Sequence, residues 1–425
     1  MNIIKYIIPI LLLFSIKVNA QEKVTLQQCY DLANSNYPLV KQKALLAQQN
    51  TLDLAFIKTE KLPKIDFTAQ ATYQSDVTAV PLELPNISID PPNKDQYKAT
   101  ISANQMLYDG GIVNSKLKIK ETELKVNQQQ VEIALYQLKK QINTLYFSAL
   151  LLEEQKSLLL IKKEQLEAKL KEVSAAVKYG VALPASDAIL KAELLKVAQN
   201  EFDIDANKNT LLQNLSQLIG QEIKENTVLE KPQILATVTE EINRPELNLF
   251  ELQDELLTNS SELIAKKKTP KVMAFATGGY GNPGLNMLDN SFQEFYMVGV
   301  KLNWNIIDWK ASKKQQKSLA FSKQIIDNKK EVFEFNTNVS LNNDLLNIKK
   351  LEQLLKTDTE IIPIREEILK TSASQLKNGV ITSSAYITEL SNLHEAKNSL
   401  KTHEIQLLLA KANYQITSGT HENNK

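Results

Sequence analysis

The residue types that usually carry catalysis or bind metals are few in this chain, and they are scattered. Its 425 residues include one cysteine, Cys29, and three histidines, His394, His403 and His421. His394 and His403 are nine positions apart, whereas paired metal ligands on one helical face stand at i and i+4. We therefore expect no enzyme, no cofactor and no metal site. These histidines, and charged runs such as Lys162-Lys163-Glu164, are predicted to be solvated helix residues.

The overall composition favours long helices and excludes two further classes. The chain has only 11 glycines and 13 prolines, where average usage gives about 30 and about 20. Fifty basic residues against 49 acidic ones leave no electrostatic footprint for nucleic acid. A hydrophobic content of 43% with a negative mean hydropathy excludes a polytopic helical membrane protein.

Residues 1–20 have the pattern of a secretory signal peptide. Lys5 supplies the positive charge, an apolar run follows from Tyr6 to Ile16, and Val18 and Ala20 stand at −3 and −1. This run is shorter than the roughly 20 apolar residues of a membrane-spanning helix. Cys29 follows too late for a lipoprotein site and is predicted to be a small buried residue in an amphipathic helix. The protein is therefore expected to be exported.

The chain repeats itself. Four landmarks recur in the same order, the first at an offset of 207 and the other three at 199. They are Leu62–Ile65 with Thr269–Val272, Asn104–Asp109 with Asn303–Asp308, Lys178–Val181 with Lys377–Val380, and Gly220 with Gly419. Each half is therefore predicted to contain a helix, two strands, a very long helix, a glycine turn and a returning helix.

This repetition predicts the domain boundaries. The first repeat, 21–220, is expected to contain a helix over Thr25–Lys61, strands over 64–75 and 97–107, a long helix over 110–178 and a return helix over 184–219. A connecting segment follows at 221–247. The second repeat, 248–419, is expected to contain a helix, strands over 271–280 and 294–306, a long helix over 309–377 and a return helix over 384–417. Residues 420–425 are predicted to be a disordered tail.

The long helices carry a heptad pattern. Residues 112–179 contain neither glycine nor proline, which allows a helix about 100 Å long at 1.5 Å per residue. An unbroken spacing of seven predicts supercoiling around neighbouring helices. Its positions are Leu117, Leu124, Val131, Leu138, Leu145, Leu152, Leu159, Leu166 and Val173. Asp109 and Asp308, each directly after a strand, are predicted helix N-caps.

The predicted strands alternate apolar and polar residues over about 10 positions, the pattern of a transmembrane β-strand. A soluble, half-buried sheet has the same period, so this alternative stays open. Lipid does not tolerate an open sheet edge, and the smallest membrane barrels have about eight strands. Four strands per chain therefore require at least two chains, with Tyr73, Tyr97, Tyr280 and Trp304 as candidates for an interfacial aromatic girdle.

Over residues 22–419 the sequence resembles the TolC-like outer-membrane efflux protein family. The resemblance rests on the duplicated order of elements and on motifs that occur in sequence along the chain. They are Thr25–Ala33 followed by Asn36-Tyr37-Pro38, Leu62-Pro63-Lys64, Met106–Gly111, Tyr179-Gly180-Val181, and Ser186–Glu193.

The resemblance implies a mainly α fold with a transmembrane β-barrel. Three chains would close a twelve-stranded barrel in the outer membrane, continuous with a periplasmic α-barrel of antiparallel coiled-coil helices. Such trimers are the exit ducts of tripartite efflux pumps or type I secretion systems. They contact outer-membrane lipid and a periplasmic adaptor, and they act with an inner-membrane transporter.

The resemblance also implies where the adaptor binds and the entrance lies. The adaptor-contacting tip would consist of two turns, Tyr179-Gly180-Val181 and Asn378-Gly379-Val380. The family's acidic entrance ring falls here on Ala385 and Thr388, which carry no charge, so Asp187 and Glu389 are the candidate entrance charges. The transported substrate and the choice between efflux and secretion stay open. The alternative function is an exported coiled-coil structural or adaptor protein without a pore.

Overall fold

The structure is a computed structural model that describes residues 23–79, 91–225, 227–234 and 241–420. The predicted signal peptide and residues 421–425 of the predicted tail lie outside the described residues. The helices are α1 (Leu26–Asn36), α2 (Val40–Lys58), α3 (Ile112–Lys178), α4 (Pro184–Ile219), α5 (Pro245–Lys266), α6 (Ala311–Lys377) and α7 (Ser383–Ser418). The strands are β1 (Lys23–Val24), β2 (Lys64–Tyr73), β3 (Asp95–Tyr108), β4 (Val228–Leu229), β5 (Lys271–Asn282) and β6 (Gln293–Asn303).

The two halves repeat each other at one offset. Helices α3 and α6 each have 67 residues and begin at 112 and 311; α4 and α7 each have 36 and begin at 184 and 383. Both starts are 199 residues apart, which is the offset found in the sequence. The turn before each long helix is also shared, since Gly110 and Gly111 have positive φ, as do Trp309 and Lys310. The second repeat therefore keeps a left-handed turn that glycine would adopt without strain.

The N-terminal helix predicted over Thr25–Lys61 is wrong in one respect, because the structure divides it into α1 and α2. Tyr37, which precedes Pro38, is extended at φ −60° and ψ 135°. A residue before proline is disfavoured in the α conformation, so α1 ends there. Its start is fixed by a capping box, in which Thr25 and Gln28 exchange side-chain and backbone hydrogen bonds.

The chain forms two compact units. The described residues of the helical unit fall within Met1–Pro38, Leu135–Ile242 and Thr337–Lys425, and those of the sheet unit fall within Leu39–Ala134 and Asn243–Asn336.

In the helical unit, α1 packs on α4 and α4 on α7, around a core that includes Cys29, Ile142, Tyr146 and Leu215. Cys29 is fully buried, and burial raises the pKa of its thiol to about 12, so it stays protonated at neutral pH. The Tyr146 hydroxyl lies 2.8 Å from the Val24 carbonyl oxygen and 2.6 Å from that of Glu230. It thereby satisfies backbone acceptors beside the short parallel pair of β1 and β4.

The sheet unit contains one antiparallel sheet in the order β2-β3-β5-β6. The register places Phe67 opposite Ile101 and Ile101 opposite Gly278, so the apolar positions of neighbouring strands share one face. Ser102 and Thr277 share the other, polar face, where their hydroxyls are 3.1 Å apart. No helix in the described ranges contains an apolar stretch long enough to cross a membrane.

The close approach of Gly110 to Thr269 yields the first prediction. Gly110 has φ +71°, and a Cβ atom there would lie 1.6 Å from the Thr269 Oγ1 atom. We expect Gly110→Ala to lower the free energy of unfolding by left-handed strain of about 1–2 kcal/mol, with overpacking of about 1–3 kcal/mol in addition. Denaturant unfolding followed by circular dichroism measures this change.

Gly180→Ala is the matched control for that substitution. Gly180 has φ +75°, but no atom lies within 4 Å of a Cβ built there, so only the strain should remain. Equal losses of stability in the two variants would contradict the clash at Thr269.

Candidate functional site: the two helical turns

Each long helix of the chain ends in a glycine turn. Gly180 follows α3 with φ +75°, and Gly379 follows α6 with φ +72°. The N–H of Val181 donates to the Ala176 carbonyl at 2.8 Å, and the N–H of Val380 donates to the Gln375 carbonyl at 2.9 Å. This bond, from an N–H five residues further along the chain than its carbonyl acceptor, is the Schellman closure, which satisfies helix-end carbonyls and needs a left-handed residue. The two predicted tip turns thus have the same backbone structure.

The two turns line one groove of the helical unit. Its walls come from the ends of α3 and α6, from both turns and from the starts of α4 and α7, and they include Val173, Ala176, Leu183, Leu376, Ile381 and Ser383. Val181 and Val380, which line the groove, and Tyr179, which precedes Gly180, are 70–81% exposed. A contiguous exposed apolar surface of this kind is typical of a place where another molecule binds.

A cluster of buried side chains, here called the tip cluster, holds the turns in position. It joins α3, α4 and α7, and its members are Leu159, Leu166, Val173, Leu190, Val197, Tyr386 and Leu390. Three of the α3 members continue the predicted heptad series. The turns therefore connect helices that pack around a common buried core.

Both candidate entrance carboxylates are paired with cations of their own chain. Asp187 accepts a hydrogen bond from the Ser174 hydroxyl and lies 2.6 Å from Lys191 Nζ. The Lys191 ammonium and then the Ser174 hydroxyl hold the pKa of Asp187 below its usual value. Glu389 Oε2 lies 3.4 Å from Arg365 Nη1. The structure thus places an opposite charge beside each carboxylate, which reduces the net negative potential either can present.

Ala385 and Thr388 make hydrogen bonds within the start of α7. The N–H of Ala385 donates to the side chain of Thr382, the N-cap of that helix, at 3.2 Å. The Thr388 hydroxyl donates to the Ser384 carbonyl at 3.0 Å.

Asp109 and Asp308 lie at the other ends of the long helices, in the sheet unit. Asp109 accepts hydrogen bonds from the N–H groups of Gly111 and Val113, at 2.9 and 2.6 Å. Asp308 accepts from those of Lys310 and Ser312, both at 3.0 Å. Each carboxylate thus satisfies N–H groups at the start of a helix, where a negative charge is favourable.

A buried polar network behind the tip cluster was missed by the sequence analysis. Lys162, predicted to be solvated, is only 9% exposed. Its Nζ atom lies 2.8 Å from Glu193 Oε1 and 3.2 Å from Ser391 Oγ, which links α3, α4 and α7. A charged residue is rarely buried unless it is paired, and this one is. No signal along α3 distinguishes Lys162 from its exposed neighbours.

The two histidines in the described part of the chain, His394 and His403, also have partners. His403 Nδ1 lies 2.6 Å from Asp358 Oδ2, and His394 Nε2 lies 3.0 Å from Asn398 Nδ2. Among the described residues no group of three or more histidine, cysteine or carboxylate side chains could hold a metal ion.

His394 yields a prediction about pH. Burial and then the Lys162 charge lower its pKa from 6.5 to about 4. The folded state disfavours the imidazolium, so the unfolded chain binds more protons between these two values. Stability should therefore fall as the pH is lowered from about 6.5 to about 4, and be fully retained above 6.5. Thermal unfolding across this range measures the slope.

His394→Asn is the control, because it cannot take up a proton and should reduce that slope. An unchanged slope would contradict a depressed His394 pKa.

Comparison with known proteins relates the first repeat to a family. The family model described as "Outer membrane efflux protein" matches residues 29–221, from α1 to just past the end of α4. A search of curated proteins finds no significant match.

Solved structures share the fold over more than 90% of this chain. The structure of CusC aligns with a TM-score of 0.68 at 10% identity, over 93% of this chain and 92% of that one. VceC from Vibrio cholerae aligns with 0.65 at 14% identity, over 92% and 96%. The open state of the MtrE outer membrane channel from Neisseria gonorrhoeae aligns with 0.63 at 16% identity, over 93% and 88%. These identities show a common fold. With the family match over residues 29–221, they confirm the resemblance to the TolC-like outer-membrane efflux protein family.

Proposed function

We propose that the protein is a trimeric outer-membrane channel that serves as the exit duct of a tripartite efflux or type I secretion system. It would be a passive conduit without enzymatic activity, opened at its periplasmic helical tip by an adaptor and energised by an inner-membrane transporter. The observation that carries this proposal is the open four-stranded sheet.

That sheet has two free edges. Among the described strands, β2 and β6 each pair on one side only. They contain 10 and 11 residues, which matches the roughly 9–11 residues of a transmembrane β-strand. Lipid cannot satisfy the exposed N–H and C=O groups of an edge. Three copies would pair β2 of one chain with β6 of the next and close a twelve-stranded barrel.

The exposure of the strands supports a membrane setting. Every residue of β2 is exposed, and on the apolar face of β6 Tyr296, Val298 and Val300 are 67–79% exposed. A soluble sheet normally covers its apolar face with a second layer. Within the described chain Phe292 stacks on Tyr97 and Tyr280 of this face. The exposed positions would be covered by lipid.

The helices of the sheet unit also leave apolar stripes unburied, which supports an oligomer. Helix α2 exposes Leu45, Leu52 and Phe56, and α6 exposes Phe321, Ile325 and Val332. These positions are separated by 4 or 7 residues, so each set lies on one face of its helix. Packing between copies would bury both stripes.

The family and the shared fold support outer-membrane localisation with the helical part in the periplasm. One of the similar structures is of an open channel state, and another was studied for the conformational changes that accompany folding and transmembrane channel formation. These descriptions support a gated conduit. The paired Asp187 and Glu389 favour closure by packing of the tip helices over closure by a ring of bare acidic charges.

Two measurements separate this proposal from an exported coiled-coil protein without a pore. We expect the protein in outer-membrane fractions as a trimer that dissociates on heating in dodecyl sulfate, and we expect ion conductance when it is inserted into planar bilayers. Extraction without detergent as a monomer, together with the absence of conductance, would overturn the channel assignment.

The tip turns yield a prediction about adaptor coupling. Valine, being β-branched, adopts positive φ at a high cost, so Gly180→Val with Gly379→Val should disturb both turns. We expect loss of adaptor co-purification after crosslinking and loss of export in the native host. Trimer formation and bilayer conductance should persist, because neither glycine lies near the sheet unit's strands in sequence or belongs to that unit.

The matched control is Gly180→Asn with Gly379→Asn, since asparagine tolerates the left-handed conformation. It should retain more coupling than the valine pair. Normal export and normal adaptor capture in the valine variant would refute a role for the turns in docking.

A further inference from the structure

The polar face of the four-stranded sheet carries an uneven charge. The strand register places four lysines and one aspartate on it, which gives a net charge of +3. They are Lys64, Lys98, Lys271, Lys301 and Asp66. The charged strand residues of the opposite, apolar face are Asp95 and Glu294, both acidic and near the loop end of the sheet.

These lysines are not neutralised by neighbouring carboxylates. In the part of the chain that the structure describes, none of the four lies within 4.0 Å of a carboxylate oxygen, whereas helix lysines of the same unit do. Lys116 pairs with Glu60 and Lys323 with Asp254, at 2.6 and 2.8 Å. The lysines of the polar face therefore present a bare positive potential.

Two phenylalanine rings lie on this same face, each across the neighbouring strand. Phe295 stands opposite Gly279, and Phe275 stands opposite Gly299. A Cβ atom at Gly279 would lie 2.5 Å from Phe295 Cζ, and one at Gly299 would lie 2.7 Å from Phe275 Cζ. The rings thus occupy the space that side chains at these two positions would fill, an arrangement known as aromatic rescue of glycine.

The rings are therefore recessed against the sheet. Both phenylalanines are only partly exposed, whereas Tyr296 on the opposite face is 79% exposed. Lys98 Nζ lies 4.9 Å from the centre of the Phe295 ring, within the range of a cation–π interaction. This places an aromatic surface and an ammonium group side by side on a polar wall.

We propose that the polar face selects anions for passage, and that Phe295 with Lys98 favours anions bearing an aromatic group. The proposal rests on the proposed function, in which this face lines the conduit. Three copies would contribute a net charge of +9, three times the +3 of one sheet. Rings of basic side chains select anions in pores, and a narrow passage focuses their field.

The reversal potential of the trimer in planar bilayers under a potassium chloride gradient tests the charge selectivity. Wild-type protein should favour chloride, and Lys98→Gln with Lys301→Gln should shift the reversal potential toward that of potassium. Glu294→Gln on the opposite face changes the charge count without touching the polar face and should leave the potential unchanged. Higher salt should weaken the selectivity, because it screens the lysines.

The outcomes separate this inference from the channel assignment. Absence of any conductance would overturn the proposed function. A conducting wild-type pore that favours potassium, or one whose potential is unaffected by the double lysine substitution, would overturn the anion selectivity alone.

Block of the chloride current tests the aromatic preference. Benzenesulfonate should block more strongly than methanesulfonate, and Phe295→Leu should reduce the difference between them. Tyr296→Leu, on the other face, should leave the difference intact. Equal block by the two anions in wild-type protein would overturn the role of Phe295.

Discussion

The backbone hydrogen bonds at the two edges of the sheet are the constraint on which the proposed assembly depends. In water an edge strand can bond to solvent, but in a bilayer each unpaired N–H and C=O group costs several kcal/mol. The four strands fix the sheet's polar and apolar faces and leave β2 and β6 half paired. In the proposed assembly, further copies would satisfy these groups, and the polar face would become the wall of a passage.

Each repeat contributes two strands of the sheet, one long helix and one return helix. The two repeats nevertheless differ in how these elements are stabilised. Helix α3 buries its heptad residues Leu159, Leu166 and Val173, whereas α6 leaves Phe321 and Ile325 exposed. The turn at Gly110 and Gly111 is repeated at Trp309 and Lys310 with strain of about 1–3 kcal/mol for each residue. The long helix of the second repeat thus leaves more large apolar side chains exposed, and the turn before it adopts the left-handed conformation without glycine.

The helical unit combines a rigid support with exposed turns. The tip cluster connects α3, α4 and α7, and Lys162 connects the same helices through Glu193 and Ser391. The side chains that make these contacts are largely shielded from solvent. The turns themselves are open, since nothing lies within 4 Å of a Cβ built at Gly180 or Gly379. An open turn on a packed support can be contacted by another protein without disturbing the helices beneath it.

The sequence by itself determined the features that depend on local spacing. The period of seven, the period of two, the glycine turns and the constant offset predicted the long helices, the two-faced strands and the duplication, because side-chain direction along a helix or strand follows from backbone geometry. It also pointed to Cys29 as a buried residue and to the carboxylates of Asp109 and Asp308 at the helix starts. The Pro38 signal was present as well, although the helix was predicted to run through it.

Only the tertiary structure decided which residues meet across elements. The burial of Lys162 depends on α4 and α7, and the left-handed Trp309 has no glycine to mark it. The contacts of Asp187 with Ser174 and of Glu389 with Arg365 each join two different helices. Two further features follow only from the strand register. Phe275 and Phe295 lie over glycines of the neighbouring strand, and the four lysines share one face. Register is set by pairing between distant segments, and a single strand's sequence does not specify it.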